Sequence, residues 1–463
     1  MPILFFKRIS DVYDEEYLDA MEFSGGDELY ATADDLHVFV IPTGCHWNDV
    51  RQKSQNIGKA IASAMLGIEK ANPNTLSGVF TGFDDANWTD KNKLSDVRLK
   101  NLIEHMSKLK IGNKNYSADV MGDSYEYMIK KFADMSKKNA GEFYTPRPIV
   151  KLMVKLLNPK PGDSVYDPAC GTGGMLIEAI RHMKSSKLSY GKIFGQENNL
   201  STSAIAGMNL YLHGAEDVQI RQGDTLRKPL FLEQGKLKTF DCVLANPPFG
   251  MEKWGAEQFE TDAFGRNIWG SPTDSSADFA WLQHMVMSMD SEKGRCAVVL
   301  PQGVLFHGGN EGNIREQLIK SDKLEAVITL AGGIFYSTGV SACILFLSNN
   351  KERKHKKKIC LIDGSEIYTA LRAQNILSEE NVETIYNLYK NYEDVVDRCK
   401  IITLDEVEKG GFDLNVKKYI EKQNSENILP SEVRGKYFAA LQSVKIAEKH
   451  LQNLLSEGVF ADE

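Results

Sequence analysis

The stretch that most narrows the folds open to this chain is Ser164-Val165-Tyr166, followed by Asp167-Pro168-Ala169-Cys170-Gly171-Thr172-Gly173-Gly174 and then MLIEAIRHM. A short apolar run, a turn of small residues and an amphipathic stripe, in that order, predict strand, glycine turn and helix. That is the first unit of a doubly wound α/β sheet. Small residues let the turn's backbone approach an adenosine-type ligand closely. A nicotinamide-dinucleotide site would carry G-x-G-x-x-G and hold a pyrophosphate on the helix N-terminus. Here the glycines run G-x-G-G behind an acid-proline pair, a pattern that suits S-adenosylmethionine, which has no pyrophosphate. Asp167, Gly171, Thr172, Gly173 and Gly174 are the candidate contacts.

The following segments extend the same sheet. Residues 192–196 predict a second strand ending at Glu197, whose carboxylate is placed to accept from both ribose hydroxyls. Residues 218–221 predict a third, ending at Gly223-Asp224, where the acid is a candidate acceptor for the cofactor's adenine amine. Asp167, Glu197 and Asp224 thus each fall just past a successive strand, on one edge of the sheet. The apolar run 240–245 predicts a buried fourth strand, closed by Asn246-Pro247-Pro248-Phe249. Two prolines stiffen that loop and leave nearby carbonyls unpaired. The Asn supplies an acceptor and the Phe a flat face, which together suit a planar group bearing an exocyclic amine. Strands one and four are neighbours where a doubly wound sheet reverses its order, so the glycine turn and the Asn246 loop are expected to face each other across the crevice. Further strands are expected at 295–300, 324–330 and 342–348, the last two joined by a hairpin over 331–339, with helices at 277–289 and 314–320. The sum is a seven-stranded sheet.

Residues 1–137 have helical texture, with apolar stripes in Leu4 to Tyr13, Ile57 to Ile68 and Tyr125 to Met135. They predict a helical domain, followed by a catalytic domain over 138–425 and a C-terminal helical segment over 426–463. The seven cysteines are scattered without a CxxC pair and read as reduced packing residues, with neither a disulfide framework nor a metal site. No apolar stretch is long enough to span a membrane and the N-terminus turns charged too early for a secretory signal, so the expected location is cytoplasmic. A net charge of −8 argues against a protein that holds DNA unaided. The lysine-rich 91–114 and KERKHKKK at 351–358 read as solvated faces. In the last segment Val433, Tyr437, Leu441, Val444, Leu451 and Leu455 share one helical face, which suits packing either on the chain's own catalytic domain or on another subunit.

An Asn-Pro-Pro-aromatic loop after a strand resembles the catalytic loop of amino-methyltransferases. Over nearly its whole length the chain resembles the modification (methyltransferase) subunit of type I DNA restriction-modification systems, of the gamma class. The carriers are LFFKRISDVYDEE, GEFYTPRPIV, DPACGTGGMLIEA, the NPPFG loop, VVLPQGVLF and FDLNVKKYI, in that order. Ribosomal RNA guanine-amine and release-factor glutamine methyltransferases share the loop but lack the FYTPRPIV entry and a helical domain of this size.

The resemblance implies a Rossmann-like S-adenosylmethionine-dependent fold that methylates adenine in double-stranded DNA. Asn246, Pro247, Pro248 and Phe249 would be catalytic, and Glu142, Phe143, Tyr144, Thr145 and Pro146 would join the cofactor site. It also implies a specificity subunit as partner, with two modification subunits to each, and a restriction subunit beside them. In that family a pair of further helices ordinarily precedes the segment that here begins at Leu4; without them methylation would be weakened, because the family's N-terminal domain helps to clamp DNA. Methyltransferases that choose their own sequence insert ~150 residues after the catalytic loop, the size of a domain. Only 250–276 stands there in this chain, so sequence reading is expected to come from the specificity subunit.

Overall fold

Strand residues alternate between two apolar layers, and this period of two decides the architecture. The computed structural model describes residues 1–81, 83, 88, 90–136, 145–184, 191–215, 217–335, 340–371, 375–420 and 430–456. Its sheet strands are β1 (Val165–Asp167), β2 (Ile193–Glu197), β3 (Val218–Gln222), β4 (Cys242–Ala245), β5 (Arg295–Pro301), β6 (Leu324–Leu330), β7 (Ala342–Ser348), β8 (Lys358–Gly364) and β9 (Cys399–Thr403). In β4, Cys242 and Leu244 enter one buried cluster, while Val243 and Ala245 enter the other. Both faces are therefore covered, as a mostly parallel sheet requires.

The strand order is β9-β8-β6-β7-β5-β4-β1-β2-β3. The chain starts at β1, steps outward to β3 and returns to β4 on the other side of β1, with Val165 beside Cys242. The order therefore reverses between β1 and β4, as expected from sequence. β7 runs antiparallel between β5 and β6, the expected hairpin, whose connection is described only as far as Phe335 and again from Val340.

All seven expected strands are present, but the sheet has nine: β8 pairs parallel with β6, and β9 antiparallel with β8. Sequence reading missed β8 because it begins at Lys358, inside the basic run, although Ile359 to Gly364 are buried. The run is a turn with most of its side chains exposed, as expected, but two of its residues are buried. Lys351 is buried and donates to Asp322 Oδ1 at 2.8 Å and to the Leu324 and Lys358 carbonyls at 3.0 and 2.7 Å. His355 is buried too, 2.7 Å from Glu325 Oε1 and stacked on Tyr392. Acids distant in sequence supply the partners that a count of local charge cannot show.

The helices are α1 (Pro2–Ser24), α2 (Ile57–Ala71), α3 (Asp96–Ser107), α4 (Ala118–Ser136), α5 (Arg147–Leu157), α6 (Gly174–Lys184), α7 (Leu200–Leu212), α8 (Asp278–Met287), α9 (Gly309–Lys320), α10 (Glu379–Asn391) and α11 (Pro430–Ser456). α9 begins five residues before the expected start at Ile314. α5, α6 and α10 contribute to the cluster on one face of the sheet, and α8 and α9 to that on the other. No strand lies among the described residues of the first 136. There α1 buries Phe5, Ile9 and Val12, and α2 buries Ile57, Ile61, Ala64, Met65 and Ile68, the i, i+4, i+7 recurrence of one helical face. α1 ends where Gly25 takes φ +70°, and the Gly25 and Gly26 amides donate to the Glu22 and Met21 carbonyls. This helical cluster closes on Met208 and Leu212 of α7, so it packs onto the sheet domain.

Candidate active site

The carboxyl ends of parallel strands gather the loops where order reverses, and a cleft lies there. Thr145, Asp167, Ala169 to Thr172, Gly174, Met175 and Asn246 line it, joined by Glu126, Arg147, Glu178 and Arg181. The glycine turn, the Asn246 loop and the entry to α5 thus share one space, as β1 and β4 being neighbours demands.

The Asn246 amide is held from one side. Its Nδ2 donates to Thr145 Oγ1 at 2.9 Å, while its Oδ1 is shut off from solvent and has no hydrogen-bond partner. A buried amide oxygen without a donor is costly, by ~1–3 kcal/mol, so Oδ1 is a candidate acceptor for a ligand's donor. Pro247 is buried and Pro248 exposed. Phe249 is half-buried, its ring 5.9 Å from that of Phe335 at 67°. Phe335 did not figure among the sequence candidates. Glu142, Phe143 and Tyr144 lie outside the described residues. Pro146 is the N-cap of α5, with Arg147 and Pro148 opening the helix.

The three acids stand at the ends of β1, β2 and β3 but in different surroundings. Asp167 is buried, and desolvation, opposed by the Ala169 amide and assisted by Glu197, pushes its carboxyl up to about 8. Glu197 accepts from the amides of Gly171 at 3.0 Å and Asn199 at 2.8 Å, and burial raises its pKa. It thereby fixes the glycine turn from behind. Asp224 accepts from the Leu226 and Arg227 amides at 3.0 and 3.1 Å, capping its own turn, and is not among the residues lining the cleft. Glycine at 173 has a packing reason besides. Its φ is +82°, and a Cβ there would meet Leu210 Cδ1 at 3.3 Å, so the position serves the packing of the turn on α7. At Gly174, which lines the cleft, a Cβ would meet nothing within 4 Å.

Several supports escaped sequence reading because their partners are remote. Asp278, buried at the start of α8, accepts from the Gly250 amide at 3.2 Å and so holds the far end of the Asn246 loop; burial raises its pKa. Asn209 of α7 donates to the Thr172 carbonyl at 3.0 Å, and Thr225 donates to that of Pro168 at 2.6 Å. A charged network ties the helical region to the sheet domain: Arg181 donates to Asp123 Oδ1 at 2.6 Å, and Arg147 pairs with Glu126. Asp123, Glu126 and His213 bring metal-ligand atoms within 4.8 Å of one another. The two guanidiniums already balance these acids, and His213 Nδ1 lies 3.4 Å from the Arg181 donor. Burial, with Arg181, pushes His213 down to about 4, so the cluster is a neutral imidazole within an ion-pair network.

A doubly wound sheet with one antiparallel strand inserted near its end, and a glycine turn facing an Asn-Pro-Pro-Phe loop, is the architecture of the Rossmann-like class I methyltransferases. The family model for N-6 DNA methylase matches residues 116–427, and that for the HsdM N-terminal domain matches residues 1–106. The chain belongs to the N-6 DNA methylase family. It is 32% identical over 438 residues to the type I restriction enzyme MjaVIII methylase subunit of Methanocaldococcus jannaschii, covering 90% of this chain and 73% of the relative. It is 31% identical over 394 residues to the HindI methylase subunit of Haemophilus influenzae, covering 81% and 85%. The type I restriction-modification methyltransferase subunit of Streptococcus thermophilus superposes with a TM-score of 0.76 at 26% identity, over 90% of this chain and 93% of that one. Among the described residues no helix is long and apolar enough to cross a membrane.

Proposed function

We propose that this chain is the S-adenosylmethionine-dependent subunit that methylates the exocyclic amine of adenine in DNA within a type I restriction-modification complex. The observation that carries the reading is Asn246 Oδ1, enclosed, oriented and lacking a donor beside the glycine turn. That oxygen and the Pro247 carbonyl accept the two amine hydrogens, which localises the nitrogen lone pair away from the ring. Phe249 offers a face to a base turned out of the duplex. Bound S-adenosylmethionine supplies an electrophilic methyl on a sulfonium centre. Asp167, Gly171, Thr172, Gly174 and Glu197 fit such a ligand, since they line or brace a cleft with open space above Gly174 and a buried acid beside it. The protein's contribution is positioning and preorganised polarity.

In this reading residues 1–137 form a helical domain, 138–425 the catalytic domain and 426–463 the docking segment, and the protein works in the cytoplasm. The partners are double-stranded DNA, a specificity subunit shared by two copies of this chain, and a restriction subunit. α11 supports the docking role. Tyr437, Phe438, Leu441, Val444, Ile446 and Leu451 are all exposed, and every described side chain from Arg434 to Asn453 is exposed, so this face does not pack on the chain's own catalytic domain. The side chains of Val433 and Leu455 lie outside those described. The test offers labelled S-adenosylmethionine with duplex DNA, ribosomal RNA or release factor, with and without the specificity subunit. Incorporation into the adenines of DNA only with the subunit present is expected; incorporation into RNA or protein overturns the reading.

A further inference from the structure

We infer that Thr145 is a positioning residue for methyl transfer, which aims the Asn246 amide at the target amine rather than holding the cofactor. This rests on the proposed catalytic role of Asn246.

The Thr145 hydroxyl stands next to the start of α5, where a threonine ordinarily caps a helix. It caps nothing here. Pro146 is the N-cap, without a side-chain bond, and its carbonyl accepts from the Ile149 and Val150 amides. The hydroxyl oxygen instead accepts from Asn246 Nδ2 at 2.9 Å, across 101 residues of chain. An amide has one donating and one accepting end, nearly identical in shape, and only its partners distinguish the two orientations. Held as it is, Asn246 turns its acceptor, Oδ1, toward the enclosed space where that atom has no partner. Rotated by half a turn, it would set an NH₂ against an incoming amine, donor against donor. The two prolines after Asn246 stiffen the backbone, and the Asp278 carboxylate fixes the Gly250 amide, but neither touches the side-chain torsion that selects the end. The Thr145 hydroxyl does touch it: able to accept or donate, it holds the amide at this torsion, and while it accepts from Nδ2 it leaves Oδ1 as the end that faces the incoming amine.

The experiment uses the full chain co-expressed with its specificity subunit, labelled S-adenosylmethionine and unmodified genomic DNA. Thr145→Val keeps the shape and removes the acceptor, whereas Thr145→Ser keeps the acceptor. The loss of one ordinary hydrogen bond should lower kcat about tenfold in Thr145→Val, with S-adenosylmethionine affinity within about twofold of wild type, and Thr145→Ser should recover to within about threefold. In single turnover, Thr145→Val should add nothing to Asn246→Ala, because the residue it aims is gone. A melting temperature and calorimetric cofactor titration on each variant separate this from loss of folding. Unchanged kcat in Thr145→Val, a defect confined to cofactor affinity, or a full further loss on the Asn246→Ala background overturns the inference. Near-normal turnover by Asn246→Ala alone would instead overturn the underlying assignment.

Discussion

The cleft at the β1–β4 junction and the helix α11 are both incomplete, in opposite ways. In the cleft Asn246 Oδ1 lacks a donor, while Glu197 braces the glycine turn, Thr145 holds the amide and Asp278 holds the loop end. On α11 the apolar side chains are uncovered, Ile446 at 65% exposure and Tyr437 at 59%. An enclosed acceptor in a braced site suits a small planar donor. An apolar stripe some 25 residues long is suited to another macromolecule, through burial of area rather than through one bond. In the proposed function the cleft carries the chemistry and α11 the docking, so the two should be separable by mutation.

Deleting residues 430–463 should break the comparison most sharply. Co-purification with the specificity subunit and methylation of defined DNA sites are expected to vanish, while calorimetric S-adenosylmethionine binding persists. Undiminished co-purification eliminates the docking role, and lost cofactor binding shows that the two regions are not separable. Next in size is Asn246→Ala, which removes an oriented acceptor and should slow transfer by about 10²-fold or more with cofactor affinity within a few-fold. Near-normal turnover would remove Asn246 from the chemistry.

Phe249 sharpens the picture of the target side. Ala in its place should cost ~1 to 3 kcal/mol of base stacking, roughly 5- to 150-fold in rate, whereas Tyr or Trp should retain most activity. Equal activity of the Ala and Tyr variants would place the base elsewhere. The smallest effect concerns Asp167, whose carboxyl is pushed up to about 8 by burial. A raised folded pKa means the native state holds the proton between about pH 4 and 8 while the unfolded chain does not. Stability from this group is therefore complete in acid and is lost as pH rises through 8. Asp167→Asn should gain melting temperature relative to wild type between about pH 5 and 9, and parallel melting curves across that range would contradict a buried, proton-holding acid.

The legible part of this protein was local in sequence. Strand, glycine turn and helix around Asp167 to Gly174, and the strand stopped by Asn246-Pro247-Pro248-Phe249, are runs in which periodicity and proline chemistry act on neighbours. Their order, with the parallel-sheet rule, was enough to predict that the two loops meet, and they do. Within the basic run 351–358 only Lys351 and His355 depart from the solvated turn, because their burial depends on Asp322 and Glu325, which belong to another strand's neighbourhood. At Gly173, Leu210 of α7 adds a packing constraint that no neighbour in sequence shows.

What the sequence determined by itself is which chemical groups stand at the ends of which strands, since hydrophobic period and turn residues are short-range properties. What only the tertiary structure decided is how those groups are aimed. The Thr145 hydroxyl meets Asn246 across 101 residues, and Asp278 meets Gly250 across 28. A hydrogen bond has direction and a reach of about 3 Å, and no one-dimensional pattern encodes which distant donor arrives within it.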